Sequence, residues 1–140
     1  MLNLEQVKSI LKSFEIEDKD RRDLFLQLFR QVTKDLKKLD EIQEEIAGLN
    51  EVYQIHIVDL NLIFWIALKQ QDVKVGVGNH RSPDLKAFLQ EETALQIGLS
   101  TLSMSEAYMK GLLNVKGELS YAIKARNLIK LCLKIIKNDY

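Results

Sequence analysis

The chain has 140 residues, of which 46% are hydrophobic and 29% charged, with 20 basic side chains balanced by 20 acidic ones. That is enough chain for one domain with a substantial core and too little for two of ordinary size, and the composition is not that of a disordered polymer. The longest apolar run, Leu62 to Leu68, is far short of the roughly 18 residues a membrane-spanning helix needs. The single cysteine, Cys132, rules out an intramolecular disulfide, and MLNLEQVKSI lacks a basic stretch followed by an apolar one. A cytoplasmic location is therefore expected. The charge is unevenly placed: −2 over residues 1–50, −3 over 51–109 and +5 over 110–140. Phosphate binding needs a clustered basic footprint, so the chain as a whole is not expected to bind nucleic acid.

Leu4, Val7, Leu11 and Phe14 recur every three or four residues and predict a short amphipathic helix over Leu2 to Phe14. After FEIEDKDRRD, in which Asp18 or Asp20 can cap a helix, Phe25, Leu28, Val32, Leu36, Leu39, Ile42 and Ile46 predict one long helix ending at Gly48. Its near-heptad spacing lasts only about three heptads. The period then changes to two. Tyr53, Ile55 and Ile57 alternate with Gln54 and His56, Asp59 to Asn61 make a turn, and Leu62 to Lys69 reads as an interior strand. QQD turns the chain again, Val73, Val75 and Val77 alternate to Gly78, and Leu85, Ala87 and Leu89 alternate after the loop GNHRSP. These are four short strands, with connections short enough for antiparallel neighbours. Helical spacing returns at Leu95, Leu99 and Leu102, with another helical turn over Ser105 to Lys110 that stops at Gly111. Leu113 to Gly117 reads as a fifth strand, and Leu119 to Lys137 as a long amphipathic helix. The order predicts an α+β fold with a five-stranded, mostly antiparallel sheet covered by helices.

No catalytic or metal constellation emerges. His56 and His80 have no third ligand at a metal-site spacing and are expected to be solvated. Cys132 lies mid-helix among apolar residues with no histidine beside it, so buried packing is expected. GVGN, Gly76 to Asn79, lacks a P-loop lysine. Gly111 and Gly117 suit a helix stop and a turn. An apolar layer is easier to build: if Tyr53, Ile55, Phe64, Ile66, Leu68, Leu85, Ala87 and Leu89 form one sheet face, the helices must cover it.

Two segments carry a family resemblance. EAYMKGLLNVKGELSYAIKARNL, Glu106 to Leu128, is similar to the signature of the sterol carrier protein (nonspecific lipid-transfer) domain. Ala107, Met109, Gly111, Leu113, Lys116, Gly117, Ala122 and Lys124 match its pattern, and Tyr108 replaces a phenylalanine. VYQIHIVDLNLIFWIALKQQDVKVGVG resembles that family's hairpin, with Phe64 at its tryptophan position and Trp65 where a small polar residue is usual. The resemblance covers about Leu49 to Leu133 and implies an N-terminal helical extension, residues 1–48, joined in one compact unit to a lipid-binding domain, residues 49–140.

What it implies is a non-catalytic binder of sterols, fatty acyl chains or other apolar lipids, holding its ligand without a cofactor in a tunnel between sheet and helices. The wall residues it implies are Phe64, Ile66, Leu95, Leu99, Leu102, Met104, Tyr108, Met109 and Ile123. The alternative is a protein-interaction or homodimerisation module with a filled core. Two further expectations concern the outside. Residues 1–48, from the same chain or a second copy, are expected to cover the opposite sheet face at Ile63, Trp65, Ala67 and Phe88. The stripe Arg126, Lys130, Lys134 and Lys137 is expected to meet anionic membranes transiently, opposite an apolar face made by Ala125, Leu128, Ile129, Cys132, Ile135 and Ile136.

Overall fold

The structure, a computed structural model, describes residues 18–139, with side chains over 20–137. The helix expected over Leu2 to Phe14 lies outside the described residues. In chain order the elements are α1 (Asp18–Leu36), α2 (Asp40–Ile46), β1 (Glu51–Ile57), a 3-10 turn (Val58–Leu60), β2 (Leu62–Lys69), β3 (Asp72–Val77), β4 (Leu85–Leu89), α3 (Glu91–Gly98), α4 (Met104–Met109), β5 (Leu113–Gly117) and α5 (Leu119–Asp139).

The single long helix expected from Phe25 to Ile46 is two helices. Leu39 is extended, with φ −77° and ψ 138°, and the Lys37 carbonyl accepts a 2.6 Å bond from the Gln43 side chain. The apolar spacing runs unbroken through this corner, so periodicity could not show it. Asp40 and Glu41 in the first turn of α2 complement its dipole and favour a fresh start there. Gly48 ends the segment with φ +85°, as expected.

The five strands form one sheet in the order β3-β2-β1-β4-β5. β1 pairs with β2, β2 with β3, and β4 with β5, all antiparallel, but β1 and β4 are parallel. The expected run of antiparallel neighbours is therefore corrected at one place, since β3 and β4 are not adjacent. The β2–β3 hairpin turns on Gln70 and Gln71, both left-handed with φ 52° and 58°, the signature of a two-residue turn matched to strand twist. The loop 78–84 then carries the chain from the β3 edge back to β1. Asp84 holds the crossover in place, its side chain accepting from the Val52 N–H at 2.8 Å and its N–H donating to the Val52 carbonyl at 2.9 Å.

Strand alternation sorts the sheet into two faces. Tyr53, Ile57, Leu62, Phe64, Leu68, Leu85, Leu89 and Leu113 are buried on the inward face, under helices. α1 and α2 lie there too: Leu36, Ile42 and Ile46 share a cluster with Tyr53, Leu68, Leu85, Ala125 and Ile135. At the other end Phe25 and Phe29 pack on Phe64, with ring centroids 6.1 and 4.7 Å away. The expectation that the N-terminal segment covers Trp65 is thus corrected for residues 18–46, which pack on the opposite face from it.

The chain's own loop covers Trp65 instead. The His80 ring stands edge-on to Trp65 at 4.8 Å, while the indole lies so close over Gly76 that a Cβ there would meet it at 2.1 Å. Gln54, 1% exposed, ties the loop down: its amide donates to Asn79 at 3.2 Å and its carbonyl oxygen accepts from the His80 N–H at 2.7 Å. His56 bonds to Gln54 at 2.9 Å and stacks on Phe88 at 4.4 Å. Neither histidine is simply solvated, since both are partly buried in the packing of this face.

Candidate functional site

The inward layer consists of two buried clusters. The first joins α2 and α5 to one end of the sheet, and the second gathers Ile57, Leu60, Leu62, Phe64, Leu89, Leu102, Ala107 and Leu113 under α1, α3 and α4 at the other end. Between them lies a row that neither closes. Ile55 on β1, Ala87 on β4 and Val115 on β5 are register partners in sequence across the sheet. Ile55 and Val115 pack on both clusters. All three, and Ile66 on β2, are only partly buried, although β1 is the middle strand of five. Solvent thus reaches apolar side chains at the centre of the sheet, where a filled core would exclude it. This apolar seam is the candidate site.

One side of the seam is spanned by α1, whose Phe25 and Phe29 pack on the second cluster and whose Val32 and Leu36 belong to the first. The chain flanking β5 supplies the other side. α4 buries Ala107 completely and packs Met104 against the second cluster. α5 buries Ala125 and Ile135 and packs Tyr121, Ala122, Leu128 and Cys132 against the first. Gly117, at the β5–α5 junction, has φ +139°, and a Cβ there would lie 2.7 Å from the Asp84 carbonyl oxygen. Only glycine lets α5 turn back so close to β4.

A polar anchor fixes α5 to the central strand beside the seam. Glu51, on the inward face two residues before Tyr53, is buried. One of its carboxylate oxygens accepts from the Tyr53 hydroxyl, the other from Lys124 Nζ at 2.9 Å. Burial, then the bond to Glu51, drive the Tyr53 hydroxyl far above its ordinary range. The same carboxylate raises the Lys124 ammonium. Cys132 is pushed up to about 12 by burial, so its thiol stays protonated at neutral pH and unreactive.

The wall residues implied by the sequence divide. Phe64 and Leu102 are buried, and Ile66 and Met104 partly buried, all facing the layer. α3 puts Ala94 and Ile97 against the second cluster; Leu95 on the helix and Leu99 just past its end are partly buried but belong to neither cluster. Tyr108 at 61% exposure, Met109 at 84% and Ile123 at 40% do not line the layer, and that expectation is corrected. Met109 stands two residues from buried Ala107, and Ile123 two from buried Ala125, which puts each about 200° around its helix and outward. The row Ile55, Ala87 and Val115 was readable as core but not as a gap. Glu51 was missed, although an acid in inward register with Tyr53 and a lysine in the α5 signature were the available signals.

A family model described as the SCP-2 sterol transfer family matches residues 29–130. The chain belongs to the SCP-2 sterol transfer family. The match begins inside α1. Solved structures share the SCP-2 fold: sterol carrier protein 2 from Yarrowia lipolytica in its apo form is 24% identical with a TM-score of 0.59, covering 82% of this chain and 91% of that one. Palmitated SCP2L2 from Aedes aegypti is 24% identical with a TM-score of 0.50, covering 64% and 88%. The sec-alkylsulfatase Pisa1 from Pseudomonas sp. is 19% identical with a TM-score of 0.55 over 64% of this chain, but the chain spans only 14% of that enzyme's length. No curated protein matches the sequence. SCP-2 membership supports lipid binding or transfer. Among the described residues, no helix is long and apolar enough to cross a membrane, and no three His, Cys, Asp or Glu side chains form a metal-binding group.

Proposed function

We propose that this SCP-2 domain is a non-catalytic carrier that holds the apolar chain of a lipid, a fatty acyl chain or a sterol, in the seam between sheet and helices. The observation that carries the reading is the partly exposed row Ile55, Ala87 and Val115, which lies on the inward face between the two buried clusters. Apolar area removed from water there stabilises a complex by about 25 cal/mol per Å², and binding sites of this kind are concave and mostly apolar. Ile66, Leu95, Leu99 and Met104, partly buried and apolar, are the adaptable walls of the proposed site, with Phe64 and Leu102 as its floor. The relative solved with palmitate supports an acyl chain as the first ligand to test. Transfer would also require a meeting with a membrane, for which the basic face of α5 is the proposed surface.

The test is mass spectrometry of an organic extract of the purified protein, followed by titration with a long-chain fatty acid, an acyl-CoA and a sterol. Copurified lipid, or micromolar binding of one of the three, is the expected result. A protein that emerges empty and binds none of them overturns the reading.

A further inference from the structure

The walls of the seam are not equally fixed. α4 and α5 bury Ala107, Ala125 and Ile135, and α5 is tied further by Lys124, 2.9 Å from Glu51. Among its described side chains α1 buries only Leu36, its last residue. Phe25, Leu26, Phe29 and Val32 pack on the two clusters but stay partly exposed. The end of α1 is also secured next door, where Lys37 pairs with Asp72 on β3 at 3.4 Å, before extended Leu39 turns the chain into α2. At the start of α1 the hold is polar. Arg21 pairs with Glu91 at the start of α3, and Arg22 donates to the Leu60 carbonyl at 3.1 Å. The receiving half belongs to the body of the domain, since Asp59 accepts from the Glu91 N–H at 2.8 Å and Leu60 sits in the second cluster. Glu91 is buried, and its second carboxylate oxygen has no hydrogen-bond partner among the described residues. Opening hydrates that oxygen and so offsets part of the loss of the pair. Arg21, Arg22 and Phe25 all precede residues 29–130, which the family model matches.

We propose that α1 is a hinged lid on the seam, turning about the break between Lys37 and Leu39 and held shut at its start by a latch, Arg21 on Glu91 and Arg22 on Leu60. The inference rests on the carrier reading and adds how cargo passes the walls. A chain that enters between sheet and helices must part them, and the wall that parts is the one with the least buried side chains and a polar hold at its free end. Lifting the start of α1 withdraws Phe25 and Phe29 from Phe64 while Leu36 stays seated. The seam then opens on the side of the second cluster, and the first cluster is left intact. The latch is made whether or not cargo is present, so it sets the barrier to exchange rather than the affinity. Loosening it speeds entry and exit alike.

The experiment measures hydrogen exchange by mass spectrometry, and the association and dissociation rates of a fluorescent long-chain fatty acid, on the full chain. It compares the native protein with the double variant Arg21→Ala, Glu91→Gln and the single variant Arg22→Ala. The double variant removes both charges together, so that no buried carboxylate is left unpaired. Arg22→Ala, at a half-buried position, keeps the test open should the double variant fail to fold. Gly76→Val, on the outer face, is the control for destabilisation as such. Exchange in residues 18–36 should accelerate about tenfold in both latch variants while β1 and β2 keep their native protection. Association and dissociation should both rise about tenfold, with Kd nearly unchanged, as a lowered barrier requires. Gly76→Val should leave α1 exchange and both rates as in the native protein. Unchanged α1 exchange in the latch variants, acceleration spread evenly over the sheet, or a faster dissociation with no change in association overturns the lid. So does the same acceleration of both rates in Gly76→Val. If the native protein binds no fatty acid, the carrier reading fails, and the exchange measurement still decides whether α1 opens on its latch.

Discussion

Gly76 owes its identity to the ring that lies on it. A Cβ would sit 2.1 Å from Cζ2 and 2.3 Å from Cε2 of Trp65, so any larger side chain must dislodge the indole and its contact with His80. Gly76→Val should cost about 1–3 kcal/mol, the usual price of overpacking, and should shift Trp65 emission, both read from urea denaturation followed by fluorescence. Gly98, at the end of α3 with no atom within 4 Å of its would-be Cβ, is the contrasting case: Gly98→Ala should stabilise by about 0.5–1 kcal/mol. The Glu51 anchor makes a different kind of prediction. Tyr53 and Lys124 both have their pKa raised in the folded protein, from ordinary values of 10.0 and 10.5. Their contribution is therefore full below about pH 10 and is lost as pH rises above it. Glu51→Gln removes the charge behind part of both shifts, so the melting temperature should fall less steeply between about pH 10 and 11.5 than in the native protein. An identical alkaline slope would mean that the carboxylate does not govern it. His56 works in the opposite direction. Burial, aided by Lys86, lowers its pKa from 6.5, so the stability it contributes is present above that value and is lost as pH falls through the lowered one.

At the scale of elements, the junction between β5 and α5 carries the most demanding backbone. Gly117 combines φ +139° with a backbone carbonyl 2.7 Å from its would-be Cβ, and neither can relax without moving the β4–β5 pairing. Gly111 has φ +75° and open space around it. Gly117→Ala should therefore destabilise by more than Gly111→Ala, whose cost is about 1–2 kcal/mol of left-handed strain; equal losses in melting temperature would show that the close approach is tolerated. Much of the fold was legible because local pattern suffices: alternating residues marked four of the strands, the unbroken apolar run Leu62 to Leu68 marked β2, and three- and four-residue spacing marked the helices. What was not legible depends on distant partners. The parallel pairing of β1 with β4 rests on Asp84 meeting Val52 and on Gln54 holding the 78–84 loop, and a glutamine at an alternating position reads as solvent-facing whether or not a loop will fold over it. The break between α1 and α2 preserves the apolar spacing on both sides, so only the acidic start Asp40 and Glu41 betrayed it. The candidate site was legible only in part, because Ile55, Ala87 and Val115 carry the same apolar chemistry whether the layer above them is closed or open.

For the molecule as a whole, that ambiguity has an experimental resolution. In a closed core, enlarging a well-packed side chain forces its neighbours off their rotamers and costs about 1–3 kcal/mol. Beside a gap the same enlargement removes apolar surface from water, at about 25 cal/mol per Å², with nothing to displace. Ala87 is the position to test, because it points inward from β4 between Ile55 and Val115, is only partly buried, and is small enough to be enlarged by three carbon atoms without changing its polarity. If the two clusters are separated by an open seam, Ala87→Leu should leave the denaturation midpoint unchanged or raise it, and should weaken fatty acid binding at least tenfold by filling the space the ligand would take. A filled layer requires the reverse, a lowered midpoint with no ligand to lose. A protein that is destabilised by the leucine and yet binds the fatty acid as before would place the ligand elsewhere. The two readouts move in opposite directions under the two architectures, so stability and binding measured on this single variant separate a carrier from a closed interaction module.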